Sequence, residues 1–595
     1  MKRKVLGFLL ACTMLASLLT GCGAGDGGKT NTTLEAKTYP LRIQLDKDED
    51  PTSEEITLYF VNGGDIPYVA LSEYMPRVGN IYKDDKIGVP AAEYEITQPL
   101  ANHTLVARKD NSSSMDIDTE ADTIEFLGLD YFVSTPGDPL LLSTITLSES
   151  GRGGVANLLQ DEGESYERGG NTLIKFDMSE YLIDLIEKDG ECYMPLQTVN
   201  DLLVSLNYVF VVFNGIEVLM SSYSSPLIDE MYNAPTGQMS EEFASFNYNE
   251  LRFMLDTTYG LKDEHDIDNF GDYFGSTGLL ADLAGTDPAA FDNALRLLTM
   301  KYFDDGHSGV LKNSYLSGPA KTGDIDAALS TIESLGVSNS AMAWGTMRAT
   351  GVRAEFYPDH PEMDSFEGTV EPYLYEEVGD TAILTFDRFS VKKDDYTKES
   401  DLKNPSDTIE LIAYAHSQIT RENSPIKNVV VDLSCNGGGV ADVALYLMAW
   451  LKVDGIAILG LKNPVTGAQS VGTFEADINL DGTFDYEDNL PLELNRYIMI
   501  SGVSFSCGNL VPAVLKGCPG ITLLGQTSGG GTCSVRPCTS ASGAAFTISS
   551  PTQISSVKNG SFYDVDQGAE PDFYISKDET FYDREKLVEF IHNLP

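Results

Sequence analysis

Basic side chains are scarce in this sequence. Only 40 Lys and Arg stand against 90 Asp and Glu, a formal charge of −50 over 595 residues, which repels phosphate backbones and anionic headgroups alike. Nucleic acid is therefore not an expected partner. Histidine is rarer still, six in total, so each one can be weighed individually. Long apolar runs are lacking after Val5 to Leu19, and no other stretch is long enough to cross a bilayer. The eight cysteines form no CxxC pair, which removes the usual zinc signature. No Gly-x-Ser-x-Gly elbow surrounds any serine considered below.

What is present begins with an address. Lys2, Arg3 and Lys4 precede the apolar run, which ends in Leu19-Thr20-Gly21-Cys22, the charge order and length of a secretory signal. The small residues before Cys22 resemble a bacterial lipobox. The expectation is a signal peptide over 1–22, lipid on Cys22 and an extracytoplasmic protein held to the membrane by acyl chains. Six cysteines then remain for the folded part, and their pairing is left open.

Residues 23–38 are small and polar, as in a flexible tether. Over 39–225, short alternating apolar runs such as Ile56-Thr57-Leu58-Tyr59-Phe60 lie between Gly, Asn and Asp turns, which reads as a β-rich module without chemistry. A helical lead-in over 226–320 follows, with apolar residues three and four apart at Leu251, Met254, Leu255 and at Phe291, Ala294, Leu295, Leu298. Over 321–595 strands and helices alternate, which predicts an α/β domain with active groups at strand ends. An acidic insertion interrupts it at 463–490.

Three stretches carry chemistry. In Ile498-Met499-Ile500-Ser501-Gly502-Val503-Ser504-Phe505-Ser506-Cys507-Gly508-Asn509 a strand breaks and a helix begins, so a serine there either caps the helix or sits beside amides that stabilise an oxyanion. Val431-Asp432-Leu433-Ser434-Cys435-Asn436-Gly437-Gly438-Gly439 runs a strand into glycines, either a bare tight turn or a loop whose amides face a ligand. Asp304-Asp305-Gly306-His307-Ser308-Gly309 holds a histidine between glycines, either facing solvent or aimed into a cleft.

Together these resemble the C-terminal-processing (tail-specific) proteases and the catalytic core of tricorn protease, over roughly residues 240–595. Asp432-Leu433-Ser434-Cys435-Asn436-Gly437-Gly438-Gly439 matches that family's Asp-Leu-Arg-x-Asn-x-Gly-Gly run, and Ser506-Cys507-Gly508-Asn509 matches its nucleophile segment. The resemblance implies a crotonase-like α/β core of the ClpP and tail-specific protease type. It implies Ser506 as nucleophile, with the amides of Cys507 and of Gly437 or Gly438 as oxyanion hole. The family lysine of Gly-Lys-Gly-Thr is absent, since the corresponding run is Gly529-Gly530-Gly531-Thr532. In the tricorn-like branch a histidine takes that part, which points to His307, with Asp566 as its supporting acid and Asp564 as the next candidate. No PDZ domain is identifiable. Polypeptide is the implied substrate, for an endopeptidase or C-terminal processing peptidase that needs no cofactor in catalysis; the alternative is a catalytically silent lipoprotein binding peptide or cell wall on the same fold.

A separate pattern runs from Asp477 to Asp488. Asp477, Asn479, Asp481, Thr483 and Asp488 occupy positions 1, 3, 5, 7 and 12 of an EF-hand-like loop with Gly482 at 6. A structural calcium ion and a plain acidic turn are the two readings.

Overall fold

The computed structural model describes residues 32–595 apart from 48, 84–87, 137–154, 156, 162, 164–165, 320–348, 359–373, 394, 559–560, 564 and 577–578. Cys22, the signal segment and Asp564 lie outside the described residues. Among those described, no helix is long and apolar enough to cross a membrane.

The N-terminal region holds two sheets. In the seven-stranded one, Leu34–Gln44 pairs with Thr52–Val61 on one side and Val218–Ser222 on the other. The five-stranded one is antiparallel, from Leu173–Asp177 across to Tyr94–Leu100. The first strand begins at Leu34, inside the stretch whose polarity suggests a tether. Its polar first half is exposed yet fully paired through the backbone, so composition described the face and not the conformation.

The α/β core follows the expected alternation. A six-stranded sheet runs in the order Tyr375–Val378, Thr381–Thr385, Asn428–Asp432, Asn495–Ile500, Ile521–Gly525, Phe573–Tyr574. All neighbours are parallel except the first pair. Val429, Val430 and Val431 are buried on both faces, as a covered parallel strand requires. Helices Thr408–Ile419, Ala441–Leu451 and Cys507–Leu515 contribute to the same core.

A second sheet, built around the long strand Ala545–Lys558, ties the regions together. Gly309–Lys312, just after His307, pairs with its first residues. Leu159–Asp161 and Tyr166–Arg168, from within 39–225, pair with Ala468–Ala476, a strand that occupies part of the acidic insertion. Helices Glu241–Thr258 and Pro288–Leu297 share a core with Cys533, Cys538, Phe546 and Ile548 of this sheet. The N-terminal region is thus hydrogen-bonded into the domain that carries Ser506.

Candidate active site

The strand Asn428–Asp432 ends in a loop organised by Asn436, which is fully buried. Its Nδ2 donates to the Phe386 carbonyl at 3.0 Å, its Oδ1 accepts from the Gly438 amide at 2.9 Å, and its own carbonyl accepts from the Phe505 amide at 3.0 Å. One residue therefore clamps three segments. Gly508 must be glycine, because a Cβ there would stand 2.3 Å from the Asn436 carbonyl oxygen.

Ser506 precedes the helix Cys507–Leu515 with φ 54° and ψ −123°, a backbone conformation that non-glycine residues rarely adopt and that concentrates at functional positions. Its amide donates to Gly530 O at 3.0 Å, and its side chain is half-buried beside Gly438, where a Cβ would stand 3.1 Å from Ser506 Oγ. Ser504 is different. It is fully buried, accepts from the Ser501 amide at 2.9 Å and donates to Leu433 O at 2.7 Å, which occupies its hydroxyl in holding the turn.

The glycine amides depart from the expected oxyanion hole. Gly437 donates to Asp387 O at 3.2 Å and Gly438 to Asn436 Oδ1 at 2.9 Å, so both are engaged in fixing the loop. Beside Ser506, the amides of Gly439 and Cys507 have no hydrogen-bond partner among the described residues. Cys507, as the first helical residue, has no intrahelical acceptor for its N–H. The two residues are neighbours: Cys507 Sγ donates to Gly439 O at 3.3 Å.

His307 lies in a loop that turns through two left-handed residues, Asp304 (φ 48°) and Gly306 (φ 71°). Asp305 holds it, accepting from the amides of His307 (3.0 Å) and Ser308 (2.7 Å), from Ser308 Oγ (2.8 Å) and from the Tyr259 hydroxyl (2.9 Å). The imidazole packs on Phe505, ring centroids 4.8 Å apart, which brings it beside the residue that precedes Ser506. No hydrogen bond joins the two side chains, and Nδ1 is buried without a partner. Burial pushes the imidazole pKa below its usual value, against the opposing pull of Asp305. Asp566 accepts from the Thr532 amide at 3.0 Å. His307 Nδ1 neither accepts nor donates a hydrogen bond among the described residues.

Position 530 has no room for a base. Gly530 adopts φ 81°, and a Cβ there would lie 1.9 Å from the Asp566 carbonyl oxygen. The acidic loop is also self-contained: Asp477 accepts from the amides of Asp481 and Gly482, Asp481 from Thr483, and Asp488 from Ile478, Asn479 and Asp485. Burial raises Asp477 to about 6. Among the described residues no three His, Cys, Asp or Glu side chains are placed to hold a metal, and all six cysteines are free.

Ser506, Cys507 and Gly439 open into a groove of about 820 Å³ between the N-terminal region and the core. Asn436, Asp305, Phe505 and Gly439 are functional positions that sequence reasoning did not single out. Asn436 and Gly439 were visible within the strand-to-glycine run and Asp305 within the His307 loop; the placement of Phe505 against His307 depends on segments far apart in sequence.

Residues 387–575 match the family model of peptidase family S41. No curated protein matches. Among solved structures, a lipoprotein from Streptococcus agalactiae is 14% identical, covering 60% of this chain and 97% of its own, with a TM-score of 0.33. Mature CPAF complexed with lactacystin is 13% identical, covering 60% and 99%, at 0.37. The photosystem II D1 C-terminal processing protease is 15% identical, covering 35% and 46%, at 0.26. Likeness of this degree carries no argument about function.

Proposed function

We propose that this protein, whose residues 387–575 match the model of peptidase family S41, cleaves polypeptides outside the cytoplasm with Ser506 as nucleophile and His307 as general base. The observation that carries the reading is the strained, half-exposed Ser506 beside two unpartnered amides, Cys507 and Gly439. A neutral His307 accepts the Ser506 hydroxyl proton as Oγ attacks the scissile carbonyl. The resulting oxyanion is received by the Cys507 and Gly439 amides. Protonated His307 then delivers its proton to the leaving amine, and water hydrolyses the acyl-enzyme by the same route in reverse. The imidazole must close on Ser506 when substrate binds, a tightening common between free and occupied sites.

The missing contact between His307 and Ser506 favours the second reading, a peptide-binding protein without turnover. Labelling with a serine-directed fluorophosphonate separates the two: the peptidase labels at Ser506, and the Ser506→Ala and His307→Ala variants do not. Absence of labelling in the folded wild type would sink the catalytic reading.

Two further parts of the proposal rest on sequence pattern. Cys22 carries the lipid that holds the protein to the membrane, which mass spectrometry of the mature N-terminus tests. The Asp477 to Asp488 loop binds calcium in the weak extracellular range, about 10⁻⁴ to 10⁻³ M, and calorimetry on wild type and Asp481→Ala tests that.

A further inference from the structure

The groove beside Ser506 is poor in anions facing solvent, which is unexpected in a protein of such negative charge. Its two acidic lining residues, Asp130 and Asp201, are buried and accept hydrogen bonds from Asn463 and Gln197, both at 3.0 Å. Its exposed charges include Arg388 and Lys392. Much of the remaining wall is apolar, including Leu459, Leu461, Val535 and Ile554.

Arg388 is held in register with the nucleophile. Phe389 donates its amide to Gly438 O at 2.9 Å and accepts from Val440 at 3.0 Å, forming a parallel bridge with Gly439. The Arg388 carbonyl accepts from Thr408 Oγ1 at 2.9 Å. The Arg388 backbone thus runs about one strand spacing, ~4.8 Å, from the loop that carries the Gly439 amide. Phe389 is fully buried, so side-chain alternation turns Arg388 to the opposite, groove-facing side. The neighbouring carboxylate, Asp387, is engaged by both terminal nitrogens of Arg353 at 2.9 and 2.5 Å. Among the described residues no acid is paired with Arg388.

Resting on the peptidase reading above, we propose that Arg388 is a specificity residue that binds a substrate carboxylate within two to three residues of the scissile bond, a reach set by about 3.3 Å of extended peptide per residue. A planar guanidinium suits a carboxylate because it donates two parallel hydrogen bonds. The carboxylate has two sources, the free C-terminus of the substrate or an Asp or Glu side chain within it, and the apolar wall accommodates the residues between it and the cleavage point.

The test uses full-length protein with Ser506→Ala, so that peptides bind without turnover. Fluorescent apolar peptides are compared as free acid against C-terminal amide, and with an internal Glu against Gln. One acid form should bind at least tenfold more tightly than its neutral partner, and which pair responds identifies the source. Arg388→Ala should abolish the difference and Arg388→Glu should reverse it, while both, placed on the Ser506 background, keep fluorophosphonate labelling. If neither pair differs, or the preference survives Arg388→Ala, the inference is overturned. Loss of labelling in the wild type with the carboxylate preference intact would instead overturn the peptidase reading and leave Arg388 as a carboxylate-binding residue of a peptide-binding groove.

Discussion

At the scale of the residue, the two serines of Ser504-Phe505-Ser506 show how much environment decides. Ser504 is engaged on both its donor and acceptor sides, so its loss leaves the Ser501 amide unsatisfied, costing roughly 1–3 kcal/mol of stability, while Leu433 O keeps its bond from the Asn436 amide. Ser506→Ala instead removes a nucleophile, and turnover should fall by several orders of magnitude in a protein that still unfolds near the wild-type midpoint. His307 gives a pH dependence with a definite sign. The base must be neutral, and burial lowers its pKa, so activity should rise along an acid limb below the usual 6.5 of a histidine and be level above it. A kcat/KM profile checks this; a limb above 8 would point to a different base. The double variant Ser506→Ala/His307→Ala should be little worse than either alone, because the pair acts as one unit.

At the scale of the element, the parallel strands and their helices were readable because burial on both faces writes itself as an apolar run, as in Val429-Val430-Val431, and because glycine runs mark where the backbone leaves the sheet. The missing lysine has a spatial counterpart, since Gly530 has no space for any side chain. The oxyanion amides were less legible. Gly437, Gly438 and Gly439 are identical in sequence, and only the positions of Asp387 and Asn436 decide which amide is left over. Nor does sequence show how the C-terminal helix Arg584–His592 locks onto the sheet. Arg584, buried, donates to Asp432 at 2.9 Å, Glu376 at 2.8 Å and Thr385 at 2.8 Å. Removing it strands the buried Asp432 carboxylate, and Arg584→Ala should cost about 3–5 kcal/mol by chemical denaturation. Asp432→Ala on that background should add little further loss.

At the scale of the whole molecule, the junction between the N-terminal region, the helical segment and the second sheet contains a buried acid pair. Asp201, fully surrounded, accepts from Gln197 Nε2 at 3.0 Å; Glu250 of the helix Glu241–Thr258 accepts from Thr198 at 3.0 Å, and its Oε1 has no donor. Arg536 lies against Asp201 from the sheet, donating to the Asp201 carbonyl and Ser205. One proton shared by the two carboxyls supplies the missing donor and leaves a single negative charge against Arg536. Burial accordingly raises Asp201 to about 7 and Glu250 well above the usual carboxylate range. The native state therefore holds a proton that the unfolded protein releases near pH 4. The stabilisation is full below that pH and is lost as pH rises through the folded pKa. Thermal unfolding should show this contribution declining from pH 4 to beyond 7. Glu250→Gln, which supplies a permanent donor in place of the proton, should flatten the decline and raise the midpoint at pH 8 relative to wild type. An unchanged slope in that variant would mean that the pair does not share a proton.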